Sequence, residues 1–538
     1  MGFLIILCAG ISAGCLLAGK ILIHYFQLES YQFPGYFRTI RRNAVKACLP
    51  GLAASALLAV SAFSVSLLFP FFSPAFCFAE SAVLIAGCLL IGKKTDEKNA
   101  KKKLVYTPRI KRLCSVFAVL WTLLLFLALS PALPADGQKH FPAVYTVFMA
   151  AFPVFLPVWI ALAGLLAWPI EKAISEMYFR DAQRILKSRK DLIRIGITGS
   201  WGKTSVKFIL GTILEEKYHT LVTPASFNTP MGVTKVIRSR LEPVHRVFVA
   251  EMGARHVGDI REMCRLVHPQ YGLLTSVGPQ HLDTFKTVER VAKTKYELVD
   301  ALPEDGVAFF ADDGGICRSL YEKTHKEKRI SGLGPDREDV WAEDIHVSGN
   351  GSTFLLCTED TRVECRTELL GELNIRNILL CAAVCFRLGM TAAEIARGIG
   401  KIKPVEHRLQ LVANPGGLTV IDDAFNSNIR GAEQAFLVLR EMGGRRIVVT
   451  PGMVELGDRE EEMNRTFGRI AADCCDLAIL VGKKRSSAIA DGFREKGFPE
   501  QNLLIVSNLE EAAELLKGQA KPGDTVLFEN DLPDNYSE

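Results

Sequence analysis

A glycine-rich segment between an apolar run and a helical pattern carries the residues best suited to chemistry. It reads GITGSWGKTS over residues 196–205, after the apolar run 192–197 and before the helical pattern 206–214. The backbone N–H groups of such a turn, together with the N-terminus of the following helix, bind phosphate. A lysine adds positive charge for the terminal phosphates, and a following threonine hydroxyl can ligate Mg²⁺. The residues of this predicted nucleotide site are Gly199, Ser200, Gly202, Lys203, Thr204 and Ser205.

Apolar runs alternate with helical patterns between residues 191 and 403, which indicates a parallel sheet with helices on both faces. The predicted strands are residues 192–197, 246–250, 271–275 and 307–310. Ligands of such sheets bind at the carboxyl ends of the strands. Glu251 directly follows the second strand, so its carboxylate is placed to ligate Mg²⁺ beside the phosphate loop. His281, after the third strand, is either a second metal ligand or a capping or packing residue.

A second alternation of strand and helix patterns begins at residue 404. The predicted strands are 418–421, 446–450, 477–481, 503–506 and 525–528, and the helices are 430–440, 460–474, 486–495 and 509–517. This pattern predicts a smaller, Rossmann-like α/β domain. It contains no phosphate loop, so it is not expected to be a second ATPase.

Five apolar runs fill the first third of the chain, each near the roughly 20 residues that span a bilayer. They are residues 3–26, 47–69, 75–92, 113–133 and 143–168. Lysine and arginine concentrate between the first and second runs and between the third and fourth. Since basic loops face the cytoplasm, we expect an outside N-terminus, five crossings and a cytoplasmic remainder. Glu80 interrupts the third run. If that run does not span the membrane, the N-terminus must lie on the opposite side, so that the phosphate loop stays on the side where ATP is.

The domain organisation follows from these patterns. We expect a membrane domain over residues 1–170, a polar linker helix over 171–190, an ATP-binding domain over 191–403 and a C-terminal domain over 404–538. The fold class is therefore an all-α membrane bundle followed by α/β domains. A net charge of +5 over 538 residues does not indicate a nucleic-acid partner. The 14 cysteines contain no paired C-x-x-C spacing and indicate reduced thiols.

Five motifs occur in the order typical of one enzyme family. They are GITGSWGKTS, EMGA from Glu251, SVGPQHLDTF from Ser276, AKTKYEL from Ala292 and GELNIRN from Gly371. Over residues 191–524 the chain resembles the Mur ligases, ATP-dependent enzymes that form peptide bonds in bacterial cell-wall synthesis. EMGARHVGDI and VIDDAFNSN are most similar to the branch that adds D-alanyl-D-alanine to a UDP-linked muramoyl tripeptide.

The resemblance implies roles for individual residues. Lys203 and Thr204 hold the phosphates and one Mg²⁺, with Glu251 on the same metal, and His281 binds a second Mg²⁺. The resemblance also implies a carbamylated lysine in the AKTKYEL helix, and the spacing to the following apolar pair favours Lys295 over Lys293. The remaining implied contacts are Asn228 near the acceptor and the γ-phosphate, Asn377 with adenine, and Arg408 and Asp423 with the nucleotide phosphates and ribose.

The implied reaction is amide formation through an acyl phosphate. A substrate carboxylate attacks the γ-phosphate of ATP, and the amine of an amino acid or dipeptide then displaces phosphate. The membrane bundle stands where related ligases carry a UDP-binding domain, so the second substrate is expected to be a muropeptide or a lipid-linked cell-wall precursor. The expected location is the cytoplasmic membrane, with several spans and cytoplasmic catalytic domains.

Several departures from the closest branch leave the amine donor open. Asn464 stands where that branch often has histidine, and Ile429 stands where it usually has proline. A further departure, Leu373 where the family usually has histidine, concerns the adenine contact. The chain ends in ENDLPDNYSE and lacks a Lys-Gly-Ser-Arg-like finish. Two alternatives remain: a membrane-tethered ligase of the poly-γ-glutamate type, and a scaffold that binds ATP without catalysis.

Overall fold

The computed structural model describes most of the chain. The described residues are 2–69, 73–94, 103–130, 151–225, 227–280, 282–334, 338–348, 351–405, 407–412, 417–424, 429–454, 456, 459–482 and 486–530. They divide into two compact units, and the division falls after residue 176.

The described secondary-structure elements of the first unit are all helical. Its helices are α1 (Gly2–Ala18), α2 (Lys20–Leu28), α3 (Phe33–Arg42), α4 (Ala44–Ser66), α5 (Pro74–Lys94), α6 (Pro108–Leu129), a 3-10 turn (Phe152–Phe155) and α7 (Leu156–Ser188). Helix α7 continues without interruption into the second unit. Most of the segment 171–190, predicted to be a polar linker helix, forms the C-terminal part of α7.

Four helical segments of this unit are long and apolar enough to cross a membrane, by length and composition. They include α4, α5, α6 and the segment Phe152–Ser188. Helices α1 and α2 pass the same test only as a pair, which is bent by 56°. The apolar run 3–26, predicted to be one span, is therefore broken at Gly19. A Cβ there would lie 3.0 Å from both the Cys15 carbonyl oxygen and the Leu156 side chain.

Small residues let the helices of the first unit approach closely. A Cβ on Gly14 would lie 3.4 Å from the Cys88 sulfur, so α1 packs tightly on α5. Between α4 and α5, the Ser61 hydroxyl donates a hydrogen bond to Glu80 Oε1 over 2.7 Å, and both side chains are buried. Helix–helix contacts of this kind, with small residues and interhelical hydrogen bonds, are typical of membrane bundles.

The second unit begins with a sheet of nine described strands. They are β1 (Ile193–Thr198), β2 (Thr220–Val222), β3 (Val247–Glu251), β4 (Tyr271–Leu274), β5 (Val307–Ala311), β6 (Glu327–Gly332), β7 (Val340–Ser348), β8 (Gly351–Cys357) and β9 (Arg362–Thr367). Their order is β2-β3-β1-β4-β5-β6-β7-β8-β9. Pairing is parallel up to β7, and β8 and β9 add an antiparallel extension that the sequence pattern did not predict.

Helices cover both faces of this sheet. They are α8 (Lys203–Leu214), α9 (Pro230–Arg240), α10 (Asp259–Val267), α11 (Leu282–Phe285), α12 (Val288–Asp300), α13 (Ile316–Lys323), α14 (Glu372–Arg387) and α15 (Ala392–Gly400). Alternate residues of β3 enter different cores: Val247 and Val249 join one apolar cluster, and Phe248 and Ala250 join another. Burial on both faces is typical of parallel strands, as the uninterrupted apolar runs predict.

A second sheet of six described strands follows. They are β10 (Gln410–Val412), β11 (Thr419–Asp423), β12 (Arg446–Thr450), β13 (Leu477–Val481), β14 (Leu503–Val506) and β15 (Thr525–Glu529), in the order β10-β11-β15-β12-β13-β14. The helices are α16 (Ile429–Glu441), α17 (Glu460–Ala472), α18 (Ser486–Glu495) and α19 (Leu509–Gln519). All pairs are parallel except β10 with β11. The predicted central α/β domain and smaller C-terminal α/β domain are confirmed.

Candidate active site

The phosphate loop joins β1 to α8, as the GITGSWGKTS segment predicts. Gly202 adopts a left-handed conformation (φ +80°) directly before α8, which suits glycine, and Lys203 is the first residue of that helix. The Lys203 ammonium folds back over the loop and donates to the carbonyl oxygens of Gly199 (2.6 Å) and Ser200 (3.2 Å). Burial lowers the pKa of Lys203 to about 8, although Glu251 acts in the opposite direction.

The loop after β4 holds the phosphate loop in shape. Ser200 N–H donates to the Ser276 carbonyl over 2.9 Å, and Trp201 N–H donates to the Ser276 hydroxyl over 2.8 Å. The hydroxyls of Thr275 and Ser276 donate to the Trp201 carbonyl. The Trp201 ring covers Gly278, where a Cβ would lie 2.5 Å from ring atoms. The conformation of the loop therefore depends on this neighbouring segment as well as on its own glycines.

Glu251, at the end of β3, faces the first turn of α8. Its carboxylate oxygens lie 3.1 and 3.2 Å from the Thr204 hydroxyl, which donates to them. Asn228 Nδ2 donates to Oε1 over 3.1 Å. Burial acts to raise the pKa of Glu251, but the charges of Lys207 and Lys203 outweigh it, so the pKa lies below its usual value. The structure thus brings together Thr204, Asn228 and Glu251.

Lys207 is a member of this cluster that sequence reasoning missed. Its Nζ lies 2.9 Å from Glu251 Oε2 and donates to the Ala225 carbonyl over 2.5 Å, and its side chain is fully buried. Burial lowers its pKa, and Glu251 partly restores it. The helical spacing of the sequence could have indicated its burial. Lys207 follows Lys203 by four residues and lies among the inward-facing positions Val206, Ile209 and Leu210.

Lys295 lies in α12 and is 1% exposed. Burial holds its pKa well below the usual value, the charge of Lys203 lowers it further, and Asp259 acts in the opposite direction. No described residue accepts a hydrogen bond from its Nζ. Lys293 is exposed, so only Lys295 of the two is placed inside the domain. His281 lies outside the described residues.

Of the residues predicted to contact the nucleotide from α14 and the C-terminal domain, Asn377 lies beside the phosphate loop, and the charge of Arg408 acts on Lys203. The Asn377 side-chain oxygen lies 3.1 Å from the position that a Cβ on Gly202 would take. The charge of Arg408 contributes to the lowered pKa of Lys203, and Glu251 and Asp423 act on Arg408. Burial raises the pKa of Asp423 to about 6, and Arg408 opposes that shift. Ser205, in the first turn of α8, is half-buried.

The donor set around Glu251 fits Mg²⁺. Mg²⁺ prefers oxygen ligands, keeps several waters, and in nucleotide sites usually takes one or two carboxylates together with phosphate oxygens. One carboxylate and one hydroxyl at the helix N-terminus meet that requirement. Within the described residues, no three histidine, cysteine or acidic side chains are close enough to form a metal site by themselves.

A cavity of about 330 Å³ borders the phosphate loop. Its described lining residues are Trp201, Pro279, Ile429, Arg459, Glu462, Met463 and Thr466. The first two belong to the phosphate loop and to the segment after β4, and the others come from the C-terminal domain. The Arg459 guanidinium and the Glu462 carboxylate lie 3.2 Å apart on the same wall.

Comparison with known proteins agrees with this geometry. Residues 197–385 match the Mur ligase middle domain, and residues 407–529 match the glutamate ligase domain of Mur ligases. This chain belongs to the Mur ligase family. It is therefore an ATP-dependent ligase that forms carbon–nitrogen bonds, and the predicted family and enzyme class are confirmed.

Individual relatives support the same assignment. The UDP-N-acetylmuramoyl-tripeptide–D-alanyl-D-alanine ligase of Escherichia coli is 32% identical over 310 residues, covering 56% of this chain and 68% of its own. The enzyme of that name from Mycobacterium tuberculosis is 30% identical over 446 residues, covering 75% and 86%. The crystal structure of MurF from Acinetobacter baumannii has a TM-score of 0.59 at 25% identity, covering 67% of this chain and 78% of its own. MurF from Thermotoga maritima, solved with ADP, shares the fold, with a TM-score of 0.60 at 23% identity, covering 66% of this chain and 80% of its own. None of these comparisons favours the poly-γ-glutamate alternative.

Proposed function

We propose that this chain is a membrane-anchored ligase that adds an amine to the peptide of a peptidoglycan precursor. The observation that carries the proposal is the cluster of Lys203, Thr204 and Glu251 in a chain that also has helices able to span a membrane. The relatives are named for joining D-alanyl-D-alanine to a UDP-linked muramoyl tripeptide. Here the precursor's carboxylate attacks the γ-phosphate of ATP and releases ADP. The amine then attacks the acyl phosphate, loses a proton and releases phosphate.

The described residues supply positioning and charge, which phosphoryl transfer mainly needs. Lys203 and the loop N–H groups would bind the phosphates, and Thr204 and Glu251 would hold a magnesium ion, which would neutralise phosphate charge. Asn228 fixes one oxygen of Glu251 and faces the acceptor. Asn377 contacts adenine, and Arg408 and Asp423 contact the phosphates and ribose. The test is ATP hydrolysis coupled to amide formation by the purified full-length chain; the absence of coupled ADP release with every precursor and amine would refute the proposal.

Lys295 is proposed to carry a carbamate beside a second magnesium ion, with His281 as the other protein ligand. Carbamylation requires an uncharged amine, which adds to CO₂ and releases a proton. The lowered pKa of buried Lys295 supports this reaction at neutral pH. The anion would then face the positive charge of Lys203. A carbamate signal from ¹³C-bicarbonate in NMR spectra of wild-type protein, lost in Lys295→Ala, is the expected result; an identical spectrum for both proteins would exclude the modification.

The membrane orientation is supported by the position of the basic residues. Arg41 and Arg42 end α3, Lys93 and Lys94 end α5, and Arg109 lies in the first turn of α6. The Arg109 guanidinium lies 3.9 Å from the centre of the Tyr31 ring, just after α2, so these segments share one end of the bundle. Since basic ends stay in the cytoplasm, that end and the catalytic domains are cytoplasmic.

Thiol labelling tests this orientation on a single helix. Cys48 is exposed near the basic end of α4, and Leu67 is exposed just beyond its other end. In intact spheroplasts, a membrane-impermeant maleimide should label Leu67→Cys in a Cys48→Ser background and should not label Cys48. The reverse pattern, or labelling of both positions, would contradict the topology.

The precursor is proposed to be lipid-linked. The matched Mur ligase domains begin at residue 197, and apolar helices make up the first unit. These helices would anchor the chain in the bilayer, in which a lipid-linked substrate is itself embedded. The full-length protein in lipid nanodiscs should consume ATP with a lipid-linked muropeptide in preference to its soluble UDP-linked counterpart. A strong preference for the soluble compound would reject the lipid-linked substrate while leaving the ligase activity intact.

A further inference from the structure

A shallow cleft opens at the basic end of the first unit, between the turn after α2 and helices α6 and α7. Phe26, Tyr31 and Trp168 supply aromatic walls, and Arg109 and Glu171 supply opposite charges. The cleft has a volume of about 20 Å³, slightly more than the roughly 10–15 Å³ that a water molecule needs. It therefore admits one polar atom of a ligand, such as an oxygen, while the rest of the ligand stays outside.

Arg109 presents N–H donors to this cleft. Its Cζ lies 3.9 Å from the centre of the Tyr31 ring, and its Nε is 3.8 Å from Glu171 Oε2, beyond hydrogen-bonding distance. Arg112 instead donates to both oxygens of Glu171, over 2.5 and 2.8 Å. Among the described residues, none accepts a hydrogen bond from the Arg109 guanidinium. The Arg109 side chain is 40% exposed, so its donors are open to a ligand.

The turn that carries Tyr31 is held in an unusual conformation. Ser30 and Tyr31 are both left-handed, with φ of +53° and +64°, which is rare for residues other than glycine. Gln27 fixes the turn to the segment before α6: its side chain donates to the Val105 carbonyl over 2.8 Å and accepts from the Val105 N–H over 3.0 Å. Conformations of this kind persist where the surrounding structure enforces them, often at ligand sites. Here they place an aromatic ring against the Arg109 guanidinium.

The residues around Trp168 place the cleft at the surface of the bilayer. Trp168 is half-exposed and follows the exposed Leu165 and Leu166 in α7. One turn later, Lys172 Nζ lies 5.1 Å from the centre of the Trp168 ring. Tryptophan and lysine at the end of an apolar span are typical of the level of the lipid headgroups. The anionic group that lipids carry at this level is phosphate.

We propose that this cleft binds the diphosphate of a lipid, with Arg109 as the main hydrogen-bond donor. A guanidinium binds phosphate through paired, charge-assisted hydrogen bonds. Arg109, Arg112 and Lys172, set against Glu171, leave two positive charges. They match the two negative charges of a diphosphate that joins a lipid to a sugar, whereas a phospholipid such as phosphatidylglycerol carries a single charge. This inference rests on the proposed lipid-linked precursor and names the site that holds its polar end.

Equilibrium binding without ATP tests the site. The full-length protein in nanodiscs of phosphatidylcholine is titrated with a radiolabelled polyprenyl diphosphate. The competitors are the matching polyprenyl alcohol, phosphatidylglycerol and inorganic diphosphate. We expect saturable binding that none of the three displaces efficiently. Arg109→Gln should weaken binding at least about 10-fold, because the charged paired hydrogen bonds are lost. Arg109→Lys keeps the charge but not the paired geometry, so its loss should be smaller.

A matched variant and the pattern of competition make the test decisive. Lys111→Gln removes one positive charge from an exposed position of the same helix and should bind as the wild type does. The Tm of each variant is measured in parallel, and Arg109→Lys serves as the test variant if Arg109→Gln does not fold. Equal competition by phosphatidylglycerol would show a general headgroup site and overturn the inference. So would efficient competition by the alcohol or by inorganic diphosphate, unchanged affinity in the Arg109 variants, or an equal loss in Lys111→Gln.

The ligase assay separates this inference from the proposed function. Arg109→Gln should raise the KM for a lipid-linked muropeptide at least about 10-fold and leave the KM for its soluble UDP-linked counterpart unchanged. Ligase activity without any binding of the lipid diphosphate would overturn the inference alone. Intact binding without coupled ADP release for any precursor and amine would refute the proposed function alone.

Discussion

Glu251 and Lys207 form an ion pair inside the second unit, with Oε2 and Nζ 2.9 Å apart and at most 1% of either side chain exposed. Removal of one partner from a buried pair typically costs about 3–5 kcal/mol. Lys207→Met should therefore lower the free energy of unfolding by about that amount without nucleotide. Magnesium and ATP should then raise the Tm of the variant more than that of the wild type, because the metal restores a positive charge beside Glu251.

A second lysine provides the matched control. The Lys326 ammonium donates to the carbonyl oxygens of Val299, Asp300 and Leu302 at 2.5–3.1 Å. Lys326→Met should lower the Tm equally with and without magnesium and ATP. If Lys207→Met also lowers the Tm equally with and without magnesium and ATP, Lys207 has no special relation to the Glu251 carboxylate that is proposed to bind the metal.

Lys295→Ala should reduce kcat by at least about 100-fold, because the proposed carbamate is a metal ligand and its loss removes transition-state charge stabilisation. The KM for ATP should change much less, since the phosphate loop is intact. Wild-type activity should fall in buffer depleted of CO₂ and recover on addition of bicarbonate. Lys293→Ala, at an exposed position of the same helix, should retain activity; activity independent of bicarbonate would contradict the role of Lys295.

The affinity for ATP should weaken above pH 8. Burial lowers the pKa of Lys203 to about 8, so its ammonium form predominates below that pH and is lost above it. Phosphate binding favours the charged form, and the KM for ATP should rise by up to about 10-fold for each further pH unit. The arginine of Lys203→Arg keeps its charge over this pH range. The KM of this variant for ATP should therefore be nearly independent of pH, although it should be higher than that of the wild type at neutral pH. A wild-type KM that stays constant to about pH 9.5 would disprove this expectation.

Gly278→Ala should disturb the phosphate loop through Trp201. The added Cβ would lie 2.5 Å from ring atoms, so the ring and the loop must move, at a typical cost of about 1–3 kcal/mol. We expect the KM for ATP to rise at least about 10-fold. Gly443→Ala meets no atoms within 4 Å and should behave as wild type. Adding Trp201→Ala to Gly278→Ala should recover ATP binding; a double variant no better than the single one would argue against the ring contact.

The strands that carry the site were predictable because parallel strands are buried on both faces. The apolar runs predicted the bounds of β1, β3, β4 and β5 to within one or two residues at each end. Residues at the ends of these runs, such as Glu251, lie in the candidate active site. The phosphate loop was predictable because its function requires glycine, lysine and threonine at fixed spacing. The role of Lys295 was predicted only from the resemblance to the family, because the sequence of a polar helix does not show that one of its lysines is buried.

Other features depend on tertiary contacts that a linear pattern does not contain. Lys207 was missed because a buried lysine is rare without a partner, and its partner Glu251 is 44 residues away. The antiparallel strands β7 to β9 contain polar and charged residues among short apolar stretches and gave no strong periodicity. The break between α1 and α2 occurs at Gly19, which packs closely against Leu156, more than a hundred residues later in the chain.

The position of Trp201 gives the enzyme a built-in optical probe. Its indole covers Gly278, its backbone is fixed by Ser276, and it lines the cavity beside the phosphate loop. Of the five tryptophans in the chain, three belong to the first unit and Trp341 to β7. Occupancy of the phosphate loop and of the adjoining cavity should therefore change the emission of one identifiable fluorophore, and the two binding events can be followed in real time without any label.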